Sequence, residues 1–256
     1  MKNDNNQRRL YDDLSHLWHL VSPLDDYLEE TELFCELMKS ESKIPLKDLL
    51  HLGCGRGHND YIFKNHFNVT GVDLSSAMLK WAKKLNPEVD YHQGDMRTVK
   101  LNKKFDAVTA VDSVDYLITK NDLQKLFQNV FDHLNPDGIF MFILESTRDS
   151  FRQDDSIVYS NSSGDEWLTV FENRFDPDKT DTEYEITFVY LYRQKGVLEI
   201  FTDRHLCGLY SEAEVKKLLT AVGFQVKITY YHPPESAFGN AKTPNKETFS
   251  LFLSTK

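Results

Sequence analysis

A short glycine loop between two apolar segments constrains this chain more than any other feature. Residues 47–52 form an apolar run that predicts a buried strand, and residues 53–57 (GCGRG) follow directly. Residues 58–67 have helical spacing, and residues 68–73 predict a second strand that ends in an acid. Glycines let a ligand approach the backbone closely, and a helix start offers free N–H groups. The stretch therefore predicts a nucleoside-binding site in an α/β protein.

The spacing of the glycines narrows the choice of nucleoside. The dinucleotide fingerprint is G-x-G-x-x-G, whereas this loop reads G-x-G-x-G and has His58 where the last glycine would stand. A tighter loop suits a small charged group better than a pyrophosphate. Asp73 lies twenty positions after Gly53, where an acid that ends the second strand can meet a ribose. A nicotinamide-dependent oxidoreductase shares this logic, but the missing third glycine argues against it.

Three segments carry a family resemblance: LLHLGCGRG, VTGVDLSSAML and YHQGDM. They resemble the first three motifs of class I S-adenosylmethionine (SAM) methyltransferases. The resemblance implies an α/β, Rossmann-like, doubly wound sheet of seven mostly parallel strands with an antiparallel last hairpin, and SAM as cofactor. It also implies that the glycine loop holds the amino-acid part of SAM, that Asp73 holds the ribose hydroxyls, and that Asp95 meets the adenine amine. The family usually has an acid where His51 stands, so the contact at that position stays open.

The resemblance gives a set of candidate cofactor contacts. The residues predicted to bind the cofactor are Tyr11, His51, Gly53, Cys54, Gly55, Gly57, Asp73, Leu74, Met78, Asp95, Met96 and Asp112. A nucleophilic role for Cys54 is disfavoured, because the loop needs a small residue there in any case. Arg56 can meet the SAM carboxylate, although a residue at such a position is more often solvent-facing.

Composition argues against several classes of partner. The chain has 256 residues, a formal net charge of −10 and three cysteines without metal-ligand spacing. An acidic total argues against nonspecific nucleic-acid binding, which usually requires a basic face. No apolar run is long enough for a transmembrane helix, and the N-terminus lacks the apolar core of a signal peptide. These features predict a cytoplasmic protein with no metal, nucleic-acid or membrane partner.

The element pattern divides the chain into a core and an insertion. We predict a SAM-binding core over residues 1–145 and 207–256, with an N-terminal helical lid, and an inserted antiparallel sheet over residues 146–206. The insertion contains β-rich segments at 167–175, 184–192 and 197–202. Such a sheet can cover an active site or form a homodimer interface. The N-terminal helices either form the lid or simply cover an edge of the core sheet.

Caps and turns predict several element boundaries. One helix is expected over residues 10–20, and a second from an N-cap at Ser22 to about residue 39. Thr119 resembles the start of a capping box, Ser211 opens the last helix, and residues 135–138 read as a turn. Two closing strands are expected at 224–231 and 248–254, joined by a loop at 232–246.

Two further segments point to the methyl acceptor. Residues 112–117 (DSVDYL) lack the Asn/Asp-Pro-Pro-Tyr/Phe motif of nucleic-acid amino-methylating enzymes. They look like small-molecule methyltransferases with a Ser-x-x-Tyr-Leu motif, which implies that Asp115 or Tyr116 faces the acceptor. The segment 201–224 resembles aminosugar N,N-dimethyltransferases, and the likeness implies that His205 leaves the inserted sheet and points at the acceptor. Histidine titrates near neutrality, so it can accept an ammonium proton.

The sequence thus predicts a SAM-dependent methyltransferase that acts on an N or O atom of a small molecule, with His205, Tyr116 and Asp115 as catalytic residues. Each has a structural alternative: a turn cap for Asp115 or Tyr116, and a hydrogen bond within the sheet for His205. A non-catalytic SAM-binding module and an NAD(P)-dependent oxidoreductase are the alternative functions. The identity of the acceptor, the use of a general base and the oligomeric state stay open.

Overall fold

The structure is a computed structural model that describes residues 8–232 and 248–256. Within these ranges the strands are β1 (Asp48–Leu52), β2 (Asn68–Asp73), β3 (Asp90–Gln93), β4 (Phe105–Ala110), β5 (Leu134–Leu144), β6 (Asp155–Ser163), β7 (Glu166–Phe175), β8 (Glu183–Gln194), β9 (Val197–Gly208), β10 (Gln225–Tyr231) and β11 (Phe249–Thr255). The α-helices are α1 (Trp18–Val21), α2 (Leu28–Glu41), α3 (His58–Phe63), α4 (Ser76–Leu85), α5 (Lys120–His133) and α6 (Glu212–Val222). None of these helices is long and apolar enough to cross a membrane.

The larger sheet has seven strands in the order β10-β11-β5-β4-β1-β2-β3. Strands β1 to β5 pair in parallel, whereas β11 runs antiparallel to both β5 and β10. This confirms the predicted fold class, including its closing hairpin. The chain crosses from β1 outward to β2 and β3, and then returns to the other side of β1 as β4. Ligands bind at the carboxyl ends of strands beside such a switch point.

A second, four-stranded antiparallel sheet has the order β6-β7-β8-β9. On β8 every second side chain is buried, from Tyr184 to Tyr192. Leucines of the N-terminal segment, among them Leu14 and Leu17, pack on this inner face. The N-terminal segment and the second sheet therefore share one apolar cluster and pack directly against each other.

The first strand of this sheet was not recognised as an element in the sequence. Its residues include several serines, and its pattern of burial is shallow, because β6 lies at the sheet edge. The polar residues 160–165 favour a turn in the sequence, but the strand continues to Ser163, and the reversal falls at Gly164, which has a φ of +62°. Strand β9 is also longer than predicted and reaches Gly208.

The continuous helix predicted over residues 10–20 is wrong. The segment contains two 3₁₀ turns, Arg9–Tyr11 and Ser15–Leu17, followed by the short helix α1. The backbone N–H of Leu10 donates to the carboxylate of Asp203 on β9 at 2.9 Å. This hydrogen bond to β9 replaces part of the regular helical hydrogen bonding. The tertiary contact therefore overrides the helix propensity of the segment.

The predicted N-cap at Ser22 is also wrong, because its hydroxyl bonds to the hydroxyl of Tyr27 at 2.8 Å. A 3₁₀ turn, Leu24–Tyr27, precedes α2, which begins at Leu28. Helix α3 ends at Phe63 rather than at residue 67, since asparagine and histidine in the following turn are weaker helix formers.

The remaining boundary predictions have mixed outcomes. Residues 135–138 belong to β5, where the register with β4 shifts and Asp137 has a φ of +59°. They form a bulge in place of the predicted turn.

Ser211 makes the complete capping box with Glu214. Thr119 caps α5, but the Asp122 carboxylate pairs with Arg97 instead of returning to the cap. The predicted loop at 232–246 lies, after its first residue, outside the described residues.

Candidate functional site

The main cavity lies at the carboxyl ends of β1 to β4 and has a volume of about 690 Å³. That volume falls within the usual range for small-molecule sites, roughly 300–1,000 Å³. Most of the predicted cofactor-binding residues line it. They are Tyr11, Gly53, Cys54, Gly55, Asp73, Leu74, Asp95, Met96 and Asp112. The other three, His51, Gly57 and Met78, are buried and do not line the cavity.

Two glycines of the loop have different reasons for lacking a side chain. Gly57 has a φ of +74°, and a Cβ there would lie 2.4 Å from the hydroxyl of Tyr91, so packing behind the loop requires glycine. At Gly55, with a φ of +53°, a Cβ would meet nothing nearer than the Met78 Cε at 4.0 Å. The surface above Gly55 is therefore open, and a ligand can lie directly on the loop backbone.

Asp73 joins the glycine loop to the start of α4. Its Oδ2 accepts the backbone N–H of Gly55 at 2.8 Å, and its Oδ1 accepts that of Ser75 at 2.8 Å. Burial raises the pKa of this carboxyl above its ordinary value. An ionised carboxylate offers about four acceptor sites, so both oxygens retain capacity for hydroxyl donors. The N-cap of α4 is Ser75, whose hydroxyl accepts the N–H of Met78.

Asp95 is held by an arginine. The guanidinium of Arg97 donates to both carboxylate oxygens, at 2.5 to 3.1 Å, and its other arm lies 3.0 Å from Asp122. This hydrogen bonding lowers the pKa of Asp95. The carboxylate is thus fixed in the ionised form at the edge of the cavity, beside Met96.

His51 belongs to a buried polar cluster behind the glycine loop. Its Nδ1 lies 2.6 Å from Asp60 Oδ1, and the hydroxyl of Tyr91 donates to Asp60 Oδ2 at 2.8 Å. The acid that stands beside His51 therefore comes from helix α3. Asp60 was not singled out from the sequence, since nine residues separate it from His51.

Cys54 is a buried free thiol. Burial, and the neighbouring charges of Asp60 and Asp73, raise its pKa well above the ordinary value. A protonated thiol is a poor nucleophile, which agrees with the prediction against a nucleophilic role. No group of three or more His, Cys, Asp or Glu with metal-binding geometry occurs among the residues that the structure describes.

A second chamber of about 230 Å³ adjoins the main cavity. It lies between the N-terminal segment, the ends of β4 and β5, and the inner face of the second sheet. Both spaces are lined by the same five residues: Tyr11, Trp18, Tyr27, Asp112 and Tyr116. A mostly aromatic wall therefore separates two compartments that meet at Asp112, which holds a left-handed backbone conformation with a φ of +52°. Such a conformation is costly for a residue with a side chain and is frequent at functional sites.

The second chamber is rich in carboxylates. They are Asp26, Asp112, Asp115, Glu145 and Glu172. Arg174, the one Lys or Arg among the described residues that line the chamber, lies 2.6 Å from Glu172 and 3.6 Å from Glu145. Burial raises the pKa of Asp112 to about 6, although the side chain is open to the cavity, because it lies deep among protein atoms.

Asp115 is the most unusual of these acids. Its side chain is only 6% exposed, and neither carboxylate oxygen has a hydrogen-bond partner. The Glu145 backbone approaches it without hydrogen-bond geometry. Burial, followed by the charge of Asp112, raises the pKa of Asp115 to about 7. An unpartnered buried carboxyl is costly to stability, and such groups mark candidate functional sites.

A chain of hydrogen bonds leads from the second sheet to the wall. His205 Nε2 lies 2.9 Å from Asp203, its Nδ1 lies 3.0 Å from the hydroxyl of Tyr116, and that hydroxyl lies 2.7 Å from the hydroxyl of Tyr11. With Asp203 accepting from Nε2, the Nδ1 atom of neutral His205 accepts from Tyr116. The prediction that His205 leaves the inserted sheet is wrong: it pairs with Ile186 within β9. Strand pairing places it beside Tyr116, where it also lines the second chamber.

Comparisons with known proteins agree with this geometry. A family described as "Methyltransferase domain" matches residues 49–138. The chain is 29% identical over 215 residues to dTDP-3-amino-3,4,6-trideoxy-alpha-D-glucopyranose N,N-dimethyltransferase of Streptomyces venezuelae, covering 79% of this chain and 85% of that one. Streptomyces venezuelae DesVI has a similar fold, with a TM-score of 0.80, 24% identity and coverage of 94% of this chain and 96% of that one. CalS10 of Micromonospora echinaspora, an amino pentose methyltransferase solved with SAM, also has a similar fold. Its TM-score is 0.75 at 21% identity, and the match covers 90% of this chain and 91% of that one.

The chain is a class I SAM-dependent methyltransferase, with similarity to aminosugar N-methyltransferases. Its cofactor is SAM. The residues present fit that cofactor, because Gly55 leaves open space over the loop and Asp73 offers free acceptor capacity at the end of β2. These matches do not support an oxidoreductase or a non-catalytic binding module.

Proposed function

We propose that the enzyme methylates the amine nitrogen of a small-molecule acceptor of the aminosugar type. The observation that carries the proposal is the carboxylate-lined chamber, which shares a wall with the cofactor cavity. A neutral hydroxyl acceptor has no net charge for several carboxylates to attract, whereas an amine, which is protonated near neutrality, is attracted and oriented by them. The dTDP-aminosugar acceptor in the name of the Streptomyces venezuelae relative supports the same class.

In this proposal the main cavity holds SAM. Asp73 receives the ribose hydroxyls, the open backbone at Gly55 lies against the amino-acid part, and Asp95 with Met96 borders the adenine. Leu74, next to Asp73, is exposed to the cavity and provides apolar surface. SAM supplies a methyl group that is already activated as part of a sulfonium ion. The remaining tasks of the protein are to orient the acceptor, to exclude water and to remove a proton from an ammonium acceptor.

Asp115 is the group best suited to take that proton. It lines the second chamber, both of its oxygens are free of hydrogen bonds, and its raised pKa of about 7 is matched to work near neutral pH. A general base works best when its pKa lies near the operating pH. Asp112, at the junction of the two compartments, contributes negative charge where the ammonium would enter.

Tyr116 and His205 act together in orientation. The phenol of Tyr116 belongs to the wall that both compartments share, and its hydrogen bond with His205, which lines the second chamber, fixes its direction. Both ring nitrogens of His205 already have partners. We therefore revise its proposed role from direct proton acceptor to positioning residue.

The second sheet supplies the inner face of the chamber, so we propose that the insertion at residues 146–206 is an acceptor-binding subdomain. Its outer face exposes Trp167, Phe171 and Ile200. A homodimer through that face stays a prediction, which light scattering after size-exclusion chromatography tests.

A matched pair of acceptors tests the proposed function. One is a nucleotide-linked aminosugar, and the other is the same sugar with a hydroxyl in place of the amine. With SAM present, mass spectrometry is expected to show methylation of the amine and none of the hydroxyl compound. Methylation of the hydroxyl compound with comparable kcat/KM, or of neither the amine compound nor other primary amines, would overturn the proposal.

A further inference from the structure

Arg56, the fourth residue of the glycine loop, is a cation of the main cavity that has no acid partner. The ring centre of Trp81 lies 4.4 Å from the guanidinium carbon, and Nη1 donates to the backbone oxygen of Ser15 at 3.4 Å. The side chain also lines the cavity. No ion pair to Arg56 occurs within residues 8–232 and 248–256. Its Nε is buried and has no hydrogen-bond partner.

An arginine in this position is unusual in energetic terms. Burial lowers the pKa of Arg56. Burial, followed by the charge of Arg56, lowers the pKa of the neighbouring His58 to about 4, so that His58 is neutral at physiological pH. The protein therefore places a positive charge without an acid partner in the wall of the cavity. Charges that lose contact with water are normally paired, and an anionic ligand would provide the partner that this half-buried guanidinium lacks.

Two acids in the wall of the same cavity have the contrary charge. Asp73 lies at the end of β2 and Asp95 after β3, where neutral donors of an adenosine would meet them. Two other arginines line the cavity. Arg97 is engaged by Asp95 and Asp122, and Arg8 donates to the backbone oxygen of Tyr116 at 3.3 Å. Within SAM the single anionic group is the α-carboxylate. The planar guanidinium fork matches a carboxylate in two parallel hydrogen bonds.

We propose that Arg56 binds the α-carboxylate of SAM and thereby fixes the orientation of the methionine part in the cavity. Trp81 holds the guanidinium by stacking on one face, which leaves its edge to the ligand. The proposal rests on SAM as cofactor and not on the nature of the methyl acceptor, so a failure of the aminosugar hypothesis leaves it standing.

A ligand series tests this by isothermal titration calorimetry with S-adenosylhomocysteine and with decarboxylated SAM, which keeps the adenosine and the ammonium but lacks the carboxylate. For Arg56→Met we expect the Kd of S-adenosylhomocysteine to rise about 10- to 100-fold, the usual effect of removing a charge-assisted hydrogen-bond pair. The Kd of decarboxylated SAM is expected to stay the same or to fall, because an uncompensated positive charge has been removed from its site.

Lys84 provides a matched control. Its Nζ lies 5.4 Å from the centre of the same Trp81 ring, but the side chain is exposed and does not line the cavity. Lys84→Met is expected to leave both affinities unchanged. Arg56→Lys keeps the charge and loses the fork, so an intermediate loss for S-adenosylhomocysteine alone is expected, and this variant serves if Arg56→Met does not fold. An equal loss of affinity for both ligands in either Arg56 variant, or no loss for either ligand, would overturn the proposal.

Discussion

The cofactor cavity and the acceptor chamber are built in different ways, although they share one wall. The cavity is formed mainly by short loops that follow four neighbouring strands, and its main contacts use backbone N–H groups and missing side chains, as at Gly55. The chamber is formed by side chains from distant parts of the chain: Tyr11 bonds to Tyr116, and the backbone of Leu10 bonds to Asp203. One site is therefore local in sequence, and the other exists only after the second sheet has packed on the N-terminal segment.

This difference predicts that substitutions separate the two functions. A substitution in the chamber should reduce turnover and leave the affinity for the cofactor unchanged. A substitution at the loop should weaken the binding of the cofactor.

The largest expected effect belongs to Asp115→Asn. If Asp115 removes the acceptor proton, kcat should fall about 10²- to 10⁴-fold, the usual contribution of a general base. Steady-state kinetics with an amine acceptor measures this. Asp26→Asn removes a carboxylate from the same chamber and should lower kcat/KM less, since it alters only the local charge. Equal losses in the two variants would mean that charge alone accounts for the role of Asp115.

A smaller effect, on affinity, is expected for Asp73→Ala. The substitution removes two hydrogen bonds to the loop and to α4 together with the proposed ribose contact. Hydrogen bonds to a charged group contribute about 1.5–3 kcal/mol, so the Kd of S-adenosylhomocysteine should rise about 10- to 100-fold. The exposed acid Asp90 on β3 gives a control, Asp90→Ala, which should bind normally. Unchanged affinity in Asp73→Ala, measured by calorimetry on a folded protein, would place the ribose elsewhere.

His205→Asn should have the smallest effect. Loss of the hydrogen bond to Tyr116, at a net value of about 0.5–1.5 kcal/mol, corresponds to roughly a 2- to 13-fold fall in kcat/KM. Because His205 is proposed to act through Tyr116, the double variant with Tyr116→Phe should lose little more than Tyr116→Phe alone. Fully additive losses in this cycle would contradict a shared role.

The same contrast explains what the sequence could predict. The strand–loop–strand spacing and the acid at Asp73 are local signals, and the seven-stranded sheet follows from them and from the resemblance. Asp203 was missed, although it lies two residues before His205 and therefore on the same face of a strand. Because the predicted strand ends at residue 202, the alternation of side chains along a strand does not extend to Asp203 and His205. Glu145 follows the last parallel strand, but its position beside Asp115 depends on how the second sheet closes the chamber.

His51 shows a second limit of the same kind. The position reads as a departure from the family pattern, but its partner Asp60 comes from the following helix. Only the packing of α3 against β1 makes the pair.

The most direct test of the account is the pH dependence of kcat/KM for an amine acceptor in the wild type and in Asp115→Asn, with the Kd of S-adenosylhomocysteine measured in parallel. Asp115 accepts a proton only when ionised, and burial raises its pKa to about 7. The wild-type rate should therefore rise with pH through about 7, and this inflection should be absent from the variant while cofactor affinity is unchanged. An inflection near pH 7 that persists in Asp115→Asn, at undiminished rate, would contradict the assignment of the acidic chamber as the site of proton removal.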